Sequence, residues 1–150
     1  MKILVAYDGS AAAEAAVGEI LTRPWPESTE VRVVTVVERP LALPSPSGVE
    51  IYAPLVERFR ASLREEAYQR IQATLVRFEA RPDLQISYEL REGSAKQGLL
   101  ESIHAWSPDL VVAGSHGAGA VARLLLGSVC HALVAHAPCN VEVVKTAAAP

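Results

Sequence analysis

Short runs of aliphatic and β-branched residues alternate with amphipathic segments along this chain, and that alternation limits the folds it can adopt. Five runs have the length and composition of strands, at residues 3–7, 31–37, 84–90, 109–113 and 140–145. The segments between them carry apolar residues at helical spacing. Strands alternating with helices predict an α/β fold, with a five-stranded, mostly parallel sheet and helices on both of its faces.

Capping residues and loop composition mark the predicted helices. Ser10 is placed to cap the first helix. Residues 39–54 contain four prolines and a glycine, which predicts a long irregular loop. Apolar residues then recur every three or four positions over 55–78, so we expect one long amphipathic helix there. Ser94 opens a third helix, and a fourth runs from about Gly127 to position 137.

Composition restricts the class of protein. A chain of 150 residues fits one domain, so we expect a single domain over 1–150 with a disordered tail at 146–150. The net charge of −3 argues against a nucleic-acid partner. No apolar run has membrane-spanning length and no signal peptide is recognisable, so we expect no membrane partner and a cytoplasmic location. Cys130 and Cys139 have no CxxC spacing, which predicts two reduced thiols.

The glycine-rich segment after the fourth predicted strand carries the main functional signal. Its skeleton is glycine, two residues, glycine, nine residues, then Gly-Ser. Gly114 and Gly117 allow a backbone turn and a close approach of phosphates where a Cβ would clash. Gly127 opens a helix whose free N–H groups form an anion site. The hydroxyl of Ser128 and the guanidinium of Arg123 are candidate phosphate donors.

This skeleton resembles the ATP-binding motif of the universal stress protein family. The resemblance continues in three further segments: residues 5–10 match the family's opening strand and turn, 33–37 its second strand, and 138–144 its closing strand. It therefore spans nearly the whole chain. It implies the adenine nucleotide alpha hydrolase-like (Rossmann-like) architecture and an adenine-nucleotide-binding regulatory function in the stress response.

The resemblance also implies a set of site residues. Asp8 would lie beside the ribose and the metal-bound phosphates, and Ala6 and Val36 would contact the adenine. The ribose and phosphates would be held by Gly114, Gly117, Gly127, Ser128 and Val129. His116 and Arg123 occupy variable positions of the motif and complete the predicted nucleotide-binding set.

The implied ligand is ATP, with Mg²⁺ or Mn²⁺ held near Asp8 indirectly. The resemblance further implies a homodimer formed through the last strand, where Val141 and Val143 share one face. We predict no catalytic residues, because Asp8 and His116 do not form a convincing nucleophile–base pair and any ATP hydrolysis would be slow.

Some alternative roles stay open, and the sequence excludes two other kinds of nucleotide site. Asp8 can be a turn and cap residue only, and the glycine loop can be a crossover without a ligand. A family member that acts through protein contacts alone, or as a weak ATPase, is the alternative function. Residues 117–122 match a dinucleotide-binding GxGxxA pattern, but they follow the fourth strand rather than the first, which excludes an NAD site. The chain has no Gly-Lys-Ser/Thr P-loop.

We also expect particular positions in the fold for the four histidines and the two cysteines. From the residues alone, His116 is an exposed loop residue rather than a catalytic base, because no partner carboxylate is identifiable. His104, His131 and His136 are expected on helix surfaces or in the core. Cys130 and Cys139 are expected as apolar fillers.

Overall fold

Five parallel strands form the centre of the structure, a computed structural model that describes residues 1–38, 53–117 and 126–146. The strands are β1 (Lys2–Ala6), β2 (Thr29–Val37), β3 (Leu84–Glu92), β4 (Leu110–Gly114) and β5 (Asn140–Val144). Their order in the sheet is β3-β2-β1-β4-β5, and every neighbouring pair is parallel. The predicted sheet is therefore confirmed, with strand ends that differ from the sequence prediction by one or two residues.

Within the described ranges four α-helices connect the strands: α1 (Ala11–Thr22), α2 (Ala53–Arg77), α3 (Ala95–Trp106) and α4 (Ser128–His136). A 3₁₀ turn, Phe78–Ala80, continues α2. Pro54, predicted in a loop, lies instead in the first turn of α2, where proline is tolerated because the first N–H groups have no helical partner. The remainder of the predicted loop, 39–52, and the tail 147–150 lie outside the described residues. No helix within the described ranges is long and apolar enough to cross a lipid bilayer.

Each face of the sheet is covered by two helices. Successive strand residues point to opposite faces, so the apolar strands have side chains to bury on both of them. On one face, Ile3 and Val5 pack against Val17 and Ile20 of α1 and against the buried ring of Phe78. On the other face, the strand residues Leu4, Val34 and Val111 pack against Leu99, Ile103 and Leu133 of α3 and α4. The predicted two-sided covering is confirmed. Val141 and Val143 also pack on this second cluster, in a strand at the edge of the described sheet.

The predicted apolar stripe of α2 is only partly buried. Ala67, Ile71 and Phe78 lie in the interior, whereas Leu55 and Phe59 are 64% and 54% exposed. A helix of 25 residues measures about 37 Å, and the longest strands, of nine residues, measure about 30 Å. The helix therefore exceeds the sheet in length, which leaves apolar residues of its first turns exposed.

The position of β1 brings the ends of two strands together. β1 lies between β2 and β4. The chain passes from β1 through α1 to β2 and outward to β3, and then returns through α3 to β4 on the other side of β1, so the winding direction changes at β1. The turn after β1 and the loop after β4 consequently lie side by side. Gly114, at the end of β4, allows this approach, because a Cβ there would lie 2.4 Å from the carbonyl carbon of Ala12 and 2.6 Å from the nitrogen of Ala13.

We predict that Gly114→Ala destabilises the protein by about 3 kcal/mol, because the added methyl group meets helix backbone rather than a movable side chain. Urea denaturation followed by circular dichroism measures the loss. Gly18→Ala is the control, since a Cβ at this position in α1 meets no atom within 4 Å. It should raise the free energy of unfolding by about 0.5–1 kcal/mol. Equal effects of the two substitutions would contradict the packing role of Gly114.

Candidate functional site

A cavity of about 530 Å³ opens at the carboxyl ends of β1, β2 and β4. The described members of the predicted nucleotide-binding set all line it: Ala6, Asp8, Val36, Gly114, His116, Gly117, Gly127, Ser128 and Val129. Arg123, the remaining member, lies outside the described residues. Clefts of this size and position are typical of ligand sites in parallel α/β sheets. The residues are brought together, and their roles toward a nucleotide stay predictions.

The turn after β1 forms one wall of the cavity. Gly9 has a φ of 79°, a conformation that favours glycine, and the amide of Ser10 donates to Oδ1 of Asp8 at 2.9 Å. Oγ of Ser10 accepts from the amide of Ala13 at 3.2 Å, which confirms Ser10 as the cap of α1. Asp8 thus has the turn role that the sequence left open, and it also lines the cavity.

The loop after β4 forms the opposite wall. Its first residue is held by the sheet, because the amide of Ser115 donates to the carbonyl oxygen of Val144 at 2.8 Å. The two walls are joined where Oγ of Ser10 donates to the carbonyl oxygen of His116 at 3.2 Å. A Cβ at Gly117 would lie 2.9 Å from Oδ2 of Asp8, so a side chain there would enter the space between the walls.

The start of α4 supplies main-chain donors. The first N–H groups of a helix have no partner within it, and the N-cap Gly127 provides no side-chain partner for those of Ser128, Val129 and Cys130. Such amides and the helix dipole are favourable to an anion, and the anion site that the sequence indicates here stays a prediction. The amide of Gly127 itself is not part of it, because it donates to the carbonyl oxygen of Ser115 at 2.8 Å. This hydrogen bond engages the amide of Gly127, which is therefore not offered to a ligand.

Gly114 has a packing role in addition to the ligand role predicted from the sequence, which stays a prediction. The space beside its Cα is filled by the backbone of α1, so the missing side chain allows close helix–strand packing. Its carbonyl oxygen accepts from Sγ of Cys130 at 2.7 Å. Close packing of β4 against α1 thus positions one edge of the cavity.

Cys130 lies between the cavity and the apolar core. It is 3% exposed and belongs to the cluster under α3 and α4, as expected of an apolar filler. Burial raises the pKa of the Cys130 thiol, and the negative charge of Asp8 raises it further. Both Cys130 and Cys139 are free thiols, as predicted.

His116 is half-buried, so the expectation of an exposed loop residue was wrong. Its Nδ1 lies 2.9 Å from Oγ of Ser115, and its Nε2 is buried with no hydrogen-bond partner among the described residues. His104, His131 and His136, by contrast, are exposed on α3 and α4. His116 is therefore the one histidine that lines this cavity.

The cavity has one apolar part and one part that is rich in polar backbone groups. Val34, Val36 and Leu99 form an apolar part, whereas Gly117 and the start of α4 form a part rich in backbone groups. Among the described lining residues there is no lysine or arginine. Within the same described ranges no group of three His, Cys, Asp or Glu side chains is placed to hold a metal ion.

Sequence reasoning missed several lining residues. Tyr7, Val34 and Glu38 lie at or near the ends of β1 and β2, and Ala95 and Leu99 belong to the start of α3. The strand residues could be identified by position, since residues at the carboxyl ends of neighbouring parallel strands share one edge of a sheet. Tyr7 donates to Glu14 through its hydroxyl, and burial and this carboxylate raise the pKa of Tyr7.

Comparisons with known proteins agree on one family. The profile described as the Universal stress protein family matches residues 1–145. A putative universal stress protein of Staphylococcus haemolyticus is 31% identical over 150 residues, which cover 99% of this chain and 86% of the relative.

Two solved structures share the fold. The universal stress protein UspA from Lactobacillus plantarum is 26% identical with a TM-score of 0.68, covering 96% of this chain and 97% of that one. A universal stress protein family protein from Arabidopsis thaliana, described with AMP bound, is 20% identical with a TM-score of 0.58, covering 99% and 93%.

We predict that Asp8→Asn lowers the pKa of the Cys130 thiol, because the substitution removes a negative charge that opposes ionisation and nearly preserves volume. Alkylation of Cys130 by iodoacetamide, followed from about pH 7 to about pH 10 in a Cys139→Ser background, should show its midpoint at lower pH. Asp109→Asn removes a carboxylate at the other end of β4 and should leave the midpoint unchanged. An unchanged midpoint in Asp8→Asn would contradict the coupling.

Proposed function

This chain belongs to the universal stress protein family, and from that premise we propose that it is a regulatory stress-response protein that binds an adenine nucleotide, ATP, in the cavity at the ends of β1, β2 and β4. The observation that carries the proposal is the convergence of the predicted residues. Nine positions that are scattered between Ala6 and Val129 in the sequence line one cavity.

The polarity of the cavity fits the two halves of a nucleotide. An aromatic base is flat and largely apolar, and it suits the part formed by Val34, Val36 and Leu99. The phosphates suit the opposite part, where the first-turn amides of α4 and the hydroxyl of Ser128 are available as donors. We assign Asp8 to the ribose and to a metal ion carried by the phosphates.

The balance of charge between ATP and the cavity lining supports the presence of a divalent cation. ATP carries several negative charges, and the described lining residues include no lysine or arginine to offset them. Since no three-residue metal cluster exists within the described ranges, we propose that Mg²⁺ or Mn²⁺ enters bound to phosphate oxygens and that Asp8 holds it indirectly. Arg123, outside the described residues, stays a candidate for the same phosphates.

The AMP bound to the Arabidopsis relative supports an adenine nucleotide, although its 20% identity establishes only a common fold. Binding rather than catalysis is favoured by the arrangement of the nearest candidate pair. Oγ of Ser115 lies at hydrogen-bond distance from a ring nitrogen of His116, but Ser115 is 2% exposed and does not line the cavity. A nucleophile there would not reach a ligand.

We also propose a cytoplasmic homodimer through β5. This strand lies at the edge of the described sheet, and a free strand edge offers unpaired N–H and C=O groups to a second copy. A sedimentation-equilibrium mass of one chain would contradict this part of the proposal.

We predict that Gly117→Val abolishes ATP binding and leaves the fold intact. A side chain at this position would meet the carboxylate of Asp8 and occupy the space between the two walls, while the core beneath remains unchanged. Equilibrium dialysis with labelled ATP and Mg²⁺ measures binding, and thermal denaturation monitors the fold. We expect at least a hundredfold loss of affinity, about 2.7 kcal/mol.

Gly18→Ala is the matched control, since this glycine lies in α1, away from the cavity lining. It should bind ATP like the wild type. Normal binding by Gly117→Val would show that this loop is not the site. Absence of binding by the wild type at millimolar ATP would favour the alternative, a family member that acts through protein contacts only.

A further inference from the structure

A shallow, open groove lies outside the cavity, between α3 and α4. We call it the α3–α4 groove, and its volume is about 520 Å³. Leu100 and Ala132, both half-buried, form its apolar part, while Lys96, His104, His131 and His136 surround it with polar groups. This volume lies within the range of small-molecule sites, and the nucleotide assigned to the first cavity does not use it.

The groove favours an anionic and partly planar ligand. Lys96 carries a positive charge, and each imidazole can donate at least one N–H group. Glu101 is the one acid among the described groove residues. It is paired with Arg91, whose Nη2 lies 2.5 Å from its carboxylate and whose Nη1 also pairs with Glu89. Flat imidazole rings beside an aliphatic part also provide surfaces on which a planar group can stack.

The groove and the cavity share one lining residue, Ser128, so they lie next to each other. α3 and α4 each follow a strand of the parallel sheet and run back across the same face, so both helices begin at the carboxyl edge. The beginning of the groove therefore adjoins the part of the cavity that we assign to phosphates. A group attached beyond those phosphates would pass Ser128 into the groove.

We propose that the α3–α4 groove binds a second nucleoside that is joined through phosphates to the nucleotide in the cavity, so that the protein selects dinucleoside polyphosphates over mononucleotides. This inference rests on the proposed nucleotide site and extends it by a separate subsite. The first nucleoside occupies the cavity, the phosphate chain crosses Ser128 near Lys96, and the second base packs on Leu100 and Ala132 beside the histidines.

Isothermal titration calorimetry with three ligands tests this proposal. The ligands are ATP, adenosine tetraphosphate and diadenosine tetraphosphate, each with Mg²⁺. The second and third have the same number of phosphates, and the second nucleoside replaces the extra negative charge of a free terminal phosphate. A gain in affinity for the less charged ligand is therefore attributable to the second nucleoside. We expect diadenosine tetraphosphate to bind about tenfold more tightly than adenosine tetraphosphate, with one ligand per chain.

Three variants test where that gain in affinity arises. Ala132→Gln introduces a longer side chain into the groove, and it should remove the tenfold advantage while ATP affinity changes less than about twofold. Ala135→Gln is the matched control, on the same helix but outside the groove, and should keep the advantage. Lys96→Glu should weaken both tetraphosphate ligands by about tenfold, because it reverses the charge beside the phosphate chain.

The results separate the two proposals. If ATP binds but the second nucleoside adds no affinity, or if Ala132→Gln keeps the full advantage, the groove is not a subsite and the nucleotide site stands. One diadenosine tetraphosphate per two chains would also overturn the groove proposal, because the ligand would then bridge two cavities. If none of the three ligands binds, both proposals are wrong.

Discussion

The contact between the first turn of α1 and the end of β4 determines the geometry of this site. It is possible because Gly114 has no side chain, so that the backbone of Ala12 and Ala13 occupies the space where a Cβ would lie. The contact brings the turn that contains Asp8 beside the loop that contains His116. The hydrogen bond from Ser10 to the carbonyl oxygen of His116 then joins the two walls. A larger residue at the end of β4 would separate the walls of the cavity.

The rest of the site follows from that contact and from the direction of the strands. Parallel strands place all their carboxyl ends at one edge, and the change of winding at β1 leaves a crevice between neighbouring loops. The apolar residues that form the core continue up to the cavity, where Val36 and Leu99 become part of its lining. The opposite part is formed by main chain, because a helix begins there. One cavity thereby acquires an apolar part and a donor-rich part.

Much of the fold could be predicted from the sequence because its signals are local. The runs of β-branched residues, the capping Ser10 and the helix that follows Gly127 each appear where the pattern indicates. The exposure of Leu55 and Phe59 could not be predicted, since the helical period shows which residues share a face and not how far the sheet extends beneath them.

The residues of the candidate site were found through the glycine skeleton and the family resemblance, but individual roles required contacts between distant segments. The clash of a Cβ at Gly114 with α1, the hydrogen bond that engages the amide of Gly127, and the burial of Nε2 of His116 each depend on such contacts. Glu38 and Ala95 were missed because neither belongs to a recognisable motif. They join the cavity only through the order of the strands and helices.

The central claim is that main-chain amides at the start of α4 hold the phosphates of a nucleotide, and backbone NMR measures this directly. In a ¹⁵N-labelled sample titrated with ATP and Mg²⁺, the amide resonances of Ser128, Val129 and Cys130 should show the largest downfield proton shifts. The amide of Gly127 should move less, because it already donates to Ser115. Saturable shifts confined to other parts of the chain, with the amides of α4 unmoved, would contradict the account.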